Sequence, residues 1–355
     1  MSIEIIGTFT HRDSSEARPR PMGEIDPAFI RELAQAFETA GFDRVLIAKA
    51  ATWPDGLIFA SHLSAWTQRL RFMVAHRPGV MAPSFAARAL ATLDRMSADA
   101  QGRVQVHVIS APSDIETQAD GDFLTKAERH RRSGEYIELL RRMWQGETFD
   151  HDGDFYRLRG AHSTVVPAAG QIPVSFGGTS PEALAIAGAH ADIYAFGIEP
   201  LERSAALIGA VQEQAARHGR NPDFCLSTRI ILGQSEAQAW ARADEVLADV
   251  TGAVAAMAQQ GQMIGDLGPS ARLAEMAARG LIQDSCLWTG IAHATGFRKA
   301  ASALVGTVET VVEALMAYHA LGVRRFLISG FDPLADVRAF GQELIPALRE
   351  RAATA

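Results

Sequence analysis

The sequence predicts an α/β protein with a (β/α)8-barrel fold that carries insertions. Eight short runs rich in β-branched and aromatic residues recur along the chain, and helical segments of roughly 10–20 residues separate them. Strands that alternate with helices form parallel sheets with right-handed crossovers, and eight such strands favour closure into a barrel. An open doubly wound sheet is the alternative, but the first predicted strand is not followed by the Gly-rich turn typical of dinucleotide-binding folds.

Each predicted element has its own local signal. The strands are short apolar runs between turn-forming residues, and they cover 3–9, 43–48, 70–75, 103–109, 172–176, 191–195, 226–232 and 324–329. The first helix begins after Asp26 as its N-cap, has Pro27 at its first position and ends near Gly41. The later helices follow the apolar period of an α-helix, and they cover 83–97, 126–144, 180–189, 201–218, 237–250, 308–321 and 333–349.

Two stretches are longer than ordinary connections between barrel elements. Residues 146–171 contain DHDGDFYRLRG, which predicts a small inserted β-hairpin. Residues 251–306 are rich in Ala, Gly and Met and are helical only in pieces, which predicts a mobile lid insertion. We find no internal repeat and no linker rich in Pro, Gly or Ser. One domain over residues 1–355 is therefore expected.

Composition and charge argue against several classes of protein. The net charge of −7 gives no electrostatic reason to bind nucleic acid. No apolar run reaches the roughly 18 residues that a membrane span needs, and the N-terminal segment lacks the pattern of a secretory signal. The two cysteines are too few for a disulfide framework or a four-thiolate metal site. A cytoplasmic protein is expected.

The residues that follow predicted strands are the candidates for an active site. In (β/α)8 barrels the active site is built by the loops at the C-terminal ends of the strands. This rule selects His11, Trp53, His76, Arg77, Ser110, the segment 176–180 and Phe331. Ser227 and Arg229, within the predicted strand 226–232, are added as candidates.

The segment FGGTS, residues 176–180, is the strongest candidate for an anion site. Its glycines let a ligand approach the backbone, and the helix that follows directs free N–H groups and the positive end of its dipole toward the loop. Thr179 and Ser180 add hydroxyl donors. The alternative is an ordinary glycine turn with a helix cap. The position after a barrel strand favours phosphate binding.

Histidines and arginines recur at these strand ends. His11, His76 and His130 match no zinc-binding spacing, so no metal is expected. The alternative to a functional role for each histidine is a structural side chain whose hydrogen bonds are satisfied. Arginine binds oxyanions through a rigid fork of donors, and Arg77, Arg229 and Arg298 fall at the predicted barrel mouth or lid. The alternative is that each arginine pairs with a neighbouring carboxylate. No Gly-x-Ser-x-Gly elbow or Ser-His-Asp order supports nucleophilic hydrolysis.

Several segments, taken in order, resemble a known enzyme family. They are VLIAKAATWPDG, TQRLRFMVAHRPGVMAPSFAARALATLDRMS, FGGTSPEALAIAG, HADIYAFGIEP and SALVGTVETVVEALMAYHALGVRRFLISGF. Together they resemble the flavin-dependent alkanesulfonate monooxygenases of the bacterial luciferase-like superfamily. The similarity runs from THRD near the N-terminus to FGQELIPAL at 340–348.

The resemblance implies a two-component monooxygenase that uses reduced FMN and oxygen. A partner NAD(P)H-dependent reductase would supply the FMN, and an organosulfonate would be cleaved to an aldehyde and sulfite. The residues that would bind the cofactor are Ser110, His130, Gly177, Gly178, Thr179 and Ser180. Arg298 from the lid and Arg229 would clamp the sulfonate, and His11 is retained as a catalytic residue. A homo-oligomer, dimer or tetramer, is expected.

Other positions depart from the family pattern. Trp53 stands where the family has a cysteine, Ser227 and Arg229 replace an Arg-x-His pair, and Phe331 replaces a tyrosine. Gly197 aligns with a tryptophan, which would leave room for a bulkier substrate. These changes predict an altered substrate, for which a sulfosugar such as sulfoquinovose is a candidate. The residues predicted to bind it are Trp53, Arg77, Ser227 and Phe331.

Two other functions stay open. The first is a luciferase-like flavin enzyme acting on an alkane, a sulfone, a nitrogen heterocycle or an amine-bearing chelator. The second is a non-catalytic flavin-binding protein. Arginines at the barrel mouth favour a sulfonate, because a neutral substrate gives no reason to bury guanidinium groups. A long lid favours an enzyme, because lids shield reactive intermediates from water.

Overall fold

The computed structural model describes residues 3–20, 25–97, 102–110, 113–259, 270–297 and 302–354. Parallel strands alternate with helices along the chain, and the predicted (β/α)8-barrel class with insertions is confirmed. All eight predicted strands form. No helix in the described part of the chain is both long and apolar enough to cross a bilayer.

The strands are numbered in chain order. They are β1 Glu4–Phe9, β2 Arg44–Ile47, β3 Arg71–His76, β4 Val104–Val108, β5 Phe149–Asp152, β6 Arg157–Ala161, β7 Val174–Gly177, β8 Ile193–Gly197, β9 Asp223–Leu232, β10 Ile282–Gln283, β11 Leu287–Trp288, β12 Ala303–Gly306 and β13 Val323–Ser329.

The helices follow the same numbering. They are α1 Pro27–Thr39, α2 Gly56–Ser64, α3 Pro83–Ser97, α4 Asp114–Ala119, α5 Lys126–Trp144, α6 Pro181–His190, α7 Leu201–Ala216, α8 Glu236–Gln259, α9 Ala271–Ala278, α10 Gly290–Ala294, α11 Val308–Ala320, α12 Pro333–Ala339 and α13 Ile345–Thr354. A π-helical turn, Phe340–Leu344, joins the last two. The predicted start of α1 is confirmed, because the Asp26 carboxylate accepts hydrogen bonds from the N–H groups of Ala28 and Phe29, both at 3.0 Å.

The chain divides into two compact units. Unit 1 comprises 1–43, 196–206 and 225–355. Its strands follow the order β10-β11-β12-β9-β13-β1, in which β12 pairs in parallel with β9 and β13 pairs in parallel with β1. The short strands β10 and β11 are antiparallel and extend this sheet.

Strand β12 was not among the predicted strands, because its residues were assigned to the lid segment 251–306. All four of its residues are buried, and Ala303 lies beside Arg229 of β9. The end of the predicted lid is therefore a strand of the main sheet. Of the remaining lid segment, residues 260–269 and 298–301 lie outside the described residues. A mobile lid stays a prediction.

Unit 2 comprises 44–195 and 207–224, and its strands follow the parallel order β2-β3-β4-β7-β8. The predicted inserted hairpin is confirmed, since β5 and β6 pair in antiparallel fashion between α5 and β7. The Glu135 carboxylate on α5 holds this hairpin. It accepts hydrogen bonds from His151 Nε2 at 2.9 Å and from the N–H groups of Phe155 at 3.0 Å and Tyr156 at 2.9 Å.

A buried carboxylate anchors the start of β4. Asp94, on α3, accepts hydrogen bonds from the backbone N–H groups of Arg103 at 3.0 Å, Val104 at 3.1 Å and Ala168 at 2.8 Å. The Arg103 guanidinium donates in turn to the carbonyl of Leu70. These bonds satisfy backbone groups that would otherwise be buried without partners. They also fix where β4 begins along the sheet.

Candidate functional site

The turn after β7 requires glycine at two consecutive positions. Gly178 has φ +128°, a backbone conformation that residues with a Cβ rarely adopt. A Cβ at Gly178 would lie 2.8 Å from Cβ of Ala183, and one at Gly177 would lie 2.5 Å from the carbonyl oxygen of Ala195. Tyr194 Oη donates a hydrogen bond to the Gly178 carbonyl at 2.6 Å, which fixes the peptide orientation. The turn therefore presents exposed backbone in a defined shape.

Helix α6 begins directly after this turn. Ser180 is its N-cap, and its hydroxyl accepts a hydrogen bond from the N–H of Ala183 at 3.3 Å, so the predicted cap is present. The first turn of a helix leaves N–H groups without partners inside the helix and carries partial positive charge. The exposed Glu182 carboxylate, in the first turn of α6, supplies negative charge beside this partial positive charge. Hydrogen bonds from its own N–H and from the Ser180 hydroxyl lower the pKa of Glu182.

His130 on α5 is buried without hydrogen-bond partners. Its side chain is 5% exposed, and neither ring nitrogen bonds to any residue that the structure describes. Its ring contacts Phe176 of β7 edge-on, with centroids 6.2 Å apart. Burial, and then the charge of Lys126, lower the pKa of His130, which favours the neutral ring. Buried polar groups are nearly always satisfied, so an orphaned imidazole beside the glycine turn suits a ligand with polar atoms.

Ser110 follows β4, the strand next to β7. Its Oγ lies 3.1 Å from Oγ of Ser133, which donates its proton to the Arg129 carbonyl at 2.8 Å. The Arg129 guanidinium holds the loop by donating to the carbonyl of Ser110 at 3.1 Å and to Asp114 Oδ1 at 2.8 Å. Ser110 is thus positioned by α5, and rotation of its hydroxyl would bring its one proton to a ligand oxygen.

The predicted cofactor residues therefore lie at neighbouring strand ends of unit 2. Ser110 follows β4, the glycines end β7, and Thr179 is exposed in the turn between β7 and α6. His130 reaches the same strand through its contact with Phe176. Backbone donors, a hydroxyl and an imidazole are the groups that bind phosphate esters. The set can hold a phosphate.

A polar set inside the sheet of unit 2 was not predicted. Gln105 Nε2 donates to Ser175 Oγ at 3.0 Å, and His107 Nδ1 lies 3.0 Å from the same oxygen. Burial lowers the pKa of His107 to about 4. The missed signal was the alternation in RVQVHV, where polar residues occupy every second position of a strand that is otherwise apolar.

Arg77 is held by two carboxylates of unit 2. Its side chain is 1% exposed, and its guanidinium forms ion pairs with Glu116 and, at 2.8 Å, with Asp120. The neighbouring His76 Nε2 lies 2.7 Å from the Tyr136 hydroxyl. Pairing with carboxylates, the alternative to an anion site at Arg77, is the arrangement that the structure shows. Arg77 holds α4 at the end of β3.

Arg229 in unit 1 is also paired with a carboxylate. Its guanidinium forms an ion pair with Glu16 and donates to the Gly330 carbonyl at 2.7 Å and to Ser329 Oγ at 3.2 Å. The guanidinium carbon lies 5.2 Å from the centre of the Phe331 ring. Arg229 therefore supports the loop after β13, and its charge is already balanced.

The other predicted residues of unit 1 have different surroundings. Phe331 is 2% exposed and packs in a core cluster with Trp288 and Ile291, so its ring is not open to solvent. The carbonyl of Ser227 accepts a hydrogen bond from the N–H of Ile198 at 2.8 Å. His11 follows β1, and burial followed by the charge of Arg12 lowers its pKa.

Two further predicted residues are Trp53 and Arg298. Trp53, in unit 2, follows β2 and is 42% exposed, which is compatible with contact to a ligand. Arg298 lies outside the described residues. Their predicted roles stay predictions.

Comparison with known proteins relates this geometry to a family and a set of folds. The sequence profile of the luciferase-like monooxygenases matches residues 5–325. A crystal structure of riboflavin lyase with modified FMN and riboflavin has a TM-score of 0.81 at 20% identity, covering 99% of this chain and 92% of that chain.

Two other solved structures have slightly lower TM-scores. A long-chain alkane monooxygenase has a TM-score of 0.78 at 18% identity, with 99% and 92% coverage of this chain and of that chain. EDTA monooxygenase from Chelativorans sp. BNC1 has a TM-score of 0.78 at 15% identity, with 99% and 95% coverage. At these identities the likeness shows a shared fold, and the substrates named for these proteins differ from one another.

Proposed function

Because the chain belongs to the luciferase-like monooxygenase family, we propose that it is an FMN-dependent monooxygenase supplied with reduced flavin by a partner reductase. The observation that carries the proposal is His130, a buried imidazole with two unpartnered nitrogens beside a glycine turn that opens a helix. Oxygen would be the co-substrate. A phosphate ester such as FMN would satisfy the orphaned nitrogen and the free backbone donors together.

The residues of unit 2 fit the phosphate end of FMN. Backbone N–H groups at the start of α6 and the Ser180 hydroxyl would face the phosphate oxygens, and His130 would donate one ring N–H. Ser110 would turn its hydroxyl to the same group. A phosphate dianion next to His130 would raise the pKa of that imidazole, because an opposite charge favours the protonated form. FMN binding would then be coupled to proton uptake by His130.

Bound reduced flavin would supply the electrons that activate oxygen. The task of the protein is to hold the flavin by its phosphate, to orient the substrate and to exclude water. The fixed peptide of Gly178 and the anchored Ser110 loop would serve the first of these tasks, because both are held by hydrogen bonds inside unit 2.

For the substrate we propose an organosulfonate, with a sulfosugar such as sulfoquinovose as one candidate. The proposal is supported by the sequence resemblance, which implies Arg298 as a clamp for the sulfonate. The carboxylate partners of Arg77 and Arg229 favour a second candidate, a non-sulfonate substrate. Paired guanidinium groups are poor anion sites, because an anion must displace a carboxylate that already satisfies them.

A substrate panel tests both proposals. The purified protein, a flavin reductase, NADH and FMN are incubated with alkyl, aryl and sugar sulfonates, and sulfite release is measured. A parallel set of alkanes, sulfones and chelators is followed by mass spectrometry for oxygen incorporated from ¹⁸O₂. Sulfite from a sulfonate supports the first candidate, and labelled product without sulfite supports the second.

Titration of the same protein with FMN tests the cofactor separately. Failure to bind oxidised or reduced FMN at micromolar concentrations would overturn the flavin proposal. Binding without turnover of any substrate would instead support a non-catalytic flavin-binding protein.

A further inference from the structure

Strand β4 places two polar side chains on one face. Val104, Val106 and Val108 are buried apolar residues, whereas Gln105 and His107 alternate with them. Successive side chains of a strand point to opposite faces of the sheet. In a (β/α)8 barrel one face packs against helices and the other lines the interior, and the valines suit the helix side. Gln105 and His107 therefore occupy the interior face.

Ser175 on β7 fixes the orientation of the His107 ring. It is the register partner of His107, and its Oγ accepts from Gln105 Nε2 at 3.0 Å and donates to the Val106 carbonyl at 3.3 Å. A hydroxyl has only one proton to donate. When that proton goes to Val106, the ring is the donor in the contact at 3.0 Å between His107 Nδ1 and Ser175 Oγ. The proton of the neutral ring then sits on Nδ1.

The other ring nitrogen is left with a lone pair. Apart from its contacts with Ser175, the His107 ring makes no hydrogen bond within the described part of the chain, and the side chain is partly exposed, whereas Gln105 and Ser175 are fully buried. An imidazole held at one nitrogen and open at the other is the arrangement by which proteins set the tautomer of a histidine that contacts a ligand.

We propose that His107 is a ligand-contact residue, whose Nε2 accepts a hydrogen bond from a hydroxyl or N–H group of the flavin ring or of the substrate. This inference rests on the proposed flavin-dependent function. Ser175 is the positioning residue, because it acts through His107. The lowered pKa, about 4, keeps the ring neutral near pH 7, so the lone pair is available.

Two variants of His107 separate the ligand contact at Nε2 from the hydrogen bond between Nδ1 and Ser175. In His107→Asn the side-chain amide takes the place of Nδ1, so the Ser175 bond survives and the Nε2 acceptor is lost. In His107→Gln the amide takes the place of Nε2, so the acceptor survives and the tether is lost. We expect His107→Asn to lose about tenfold, the effect of one net hydrogen bond, in ligand binding or in kcat/KM. We expect His107→Gln, which keeps the acceptor but loses its positioning by Ser175, to lose less than His107→Asn in the same measurements.

The FMN affinity and the substrate KM of His107→Asn together show whether the flavin or the substrate donates the hydrogen bond to Nε2. A weaker Kd for FMN in His107→Asn assigns the hydrogen bond to the flavin. A raised substrate KM with unchanged FMN affinity assigns it to the substrate. If His107→Asn matches wild type in both while His107→Gln lowers the unfolding midpoint, His107 is a structural tether and the proposal is overturned. Absence of FMN binding by the wild type is seen before the variants are compared, and it rejects the proposed function itself.

The tautomer has its own measurement. In the full chain with ¹⁵N-labelled histidine and no flavin, the His107 signals are assigned by their loss in His107→Asn. We expect the shifts of a protonated Nδ1 and an unprotonated Nε2 at pH 7, and a mixture of tautomers in Ser175→Ala. A wild-type ring protonated at Nε2 would overturn the assignment of an acceptor.

Discussion

The guanidinium of Arg229 on β9 forms an ion pair with the carboxylate of Glu16, 213 residues earlier in the chain. Each side chain is about one-fifth exposed. An anionic substrate at Arg229 would have to displace Glu16, so the pair determines whether this arginine supports the fold or binds a ligand.

Replacing Glu16 tests that role. We expect Glu16→Gln to lower the free energy of unfolding by about 1–2 kcal/mol, because it removes the charge partner of a partly buried guanidinium. Urea unfolding measures the change. Glu213→Gln, which disrupts an exposed pair with Arg217, is the matched control and should cost less than about 1 kcal/mol. A tenfold fall in the KM for a sulfonate in Glu16→Gln would instead place Arg229 in the substrate site.

The second prediction concerns the glycine turn. Gly178→Val should weaken FMN binding by at least about tenfold and lower the unfolding midpoint, since a Cβ meets Ala183 at 2.8 Å in a disfavoured backbone conformation. Thr179→Ala should weaken binding only modestly, because backbone groups do most of the holding. Fluorescence titration and thermal unfolding measure both effects.

The control is Gly209→Ala, at a helical position where an added Cβ has no neighbour within 4 Å. It should leave FMN binding unchanged. Unaltered FMN affinity in a folded Gly178→Val protein would mean that the phosphate binds elsewhere.

The third prediction concerns the carboxylate at the start of α6. Glu182→Gln should tighten FMN binding by roughly three- to tenfold, because it removes a negative charge that competes for the helix N-terminus. Riboflavin, which lacks the phosphate, is the control ligand and should bind as before. An equal change for FMN and riboflavin would show that Glu182 does not lie beside the phosphate.

Local sequence patterns predict many of the helices and strands. Helix α3 spans 83–97 as predicted, because its apolar period and Pro83 are visible without any knowledge of distant residues. Strand β12 was missed because its short apolar run follows a long irregular segment, and length alone assigned it to the lid. Local periodicity predicts an element best when its neighbours are also regular.

The site was harder to predict, because its decisive contacts are distant in sequence. Arg77 and Glu116 are 39 residues apart, and His107 and Ser175 are 68 apart. A single sequence shows that an arginine follows a strand, but it does not show which carboxylate folds back onto it. The glycine turn was visible because all its parts are consecutive residues.

The fourth prediction is a loss of stability in mild acid. Burial lowers the pKa of His76, His107 and His190 to about 4, from 6.5 in an unfolded chain. Below pH 6.5 the unfolded state binds protons that the folded state does not, so the free energy of unfolding falls as the pH decreases from 6.5 to 4 and is unaffected by these groups above that window.

His76→Gln isolates one contribution. The amide can replace the hydrogen bond from Nε2 to Tyr136 without titrating, so up to about 3 kcal/mol of the acid-induced loss should disappear. Urea unfolding at pH 7.5, 5.5 and 4.5 measures this. A variant whose stability declines with the same slope as wild type would show that His76 titrates normally.

The Asp94 carboxylate fixes the register of β4 within the sheet. By binding the N–H groups of Arg103 and Val104, it selects which residue enters the sheet first. A strand displaced by one residue would turn Val106 toward the interior and His107 toward the helices, since every side chain changes face together. Asp94 on α3 thus determines the face on which His107 lies, about four residues away and roughly 13 Å along the strand. Transfer of the His107–Ser175 pair to another scaffold would therefore also require a carboxylate that fixes the register of the strand.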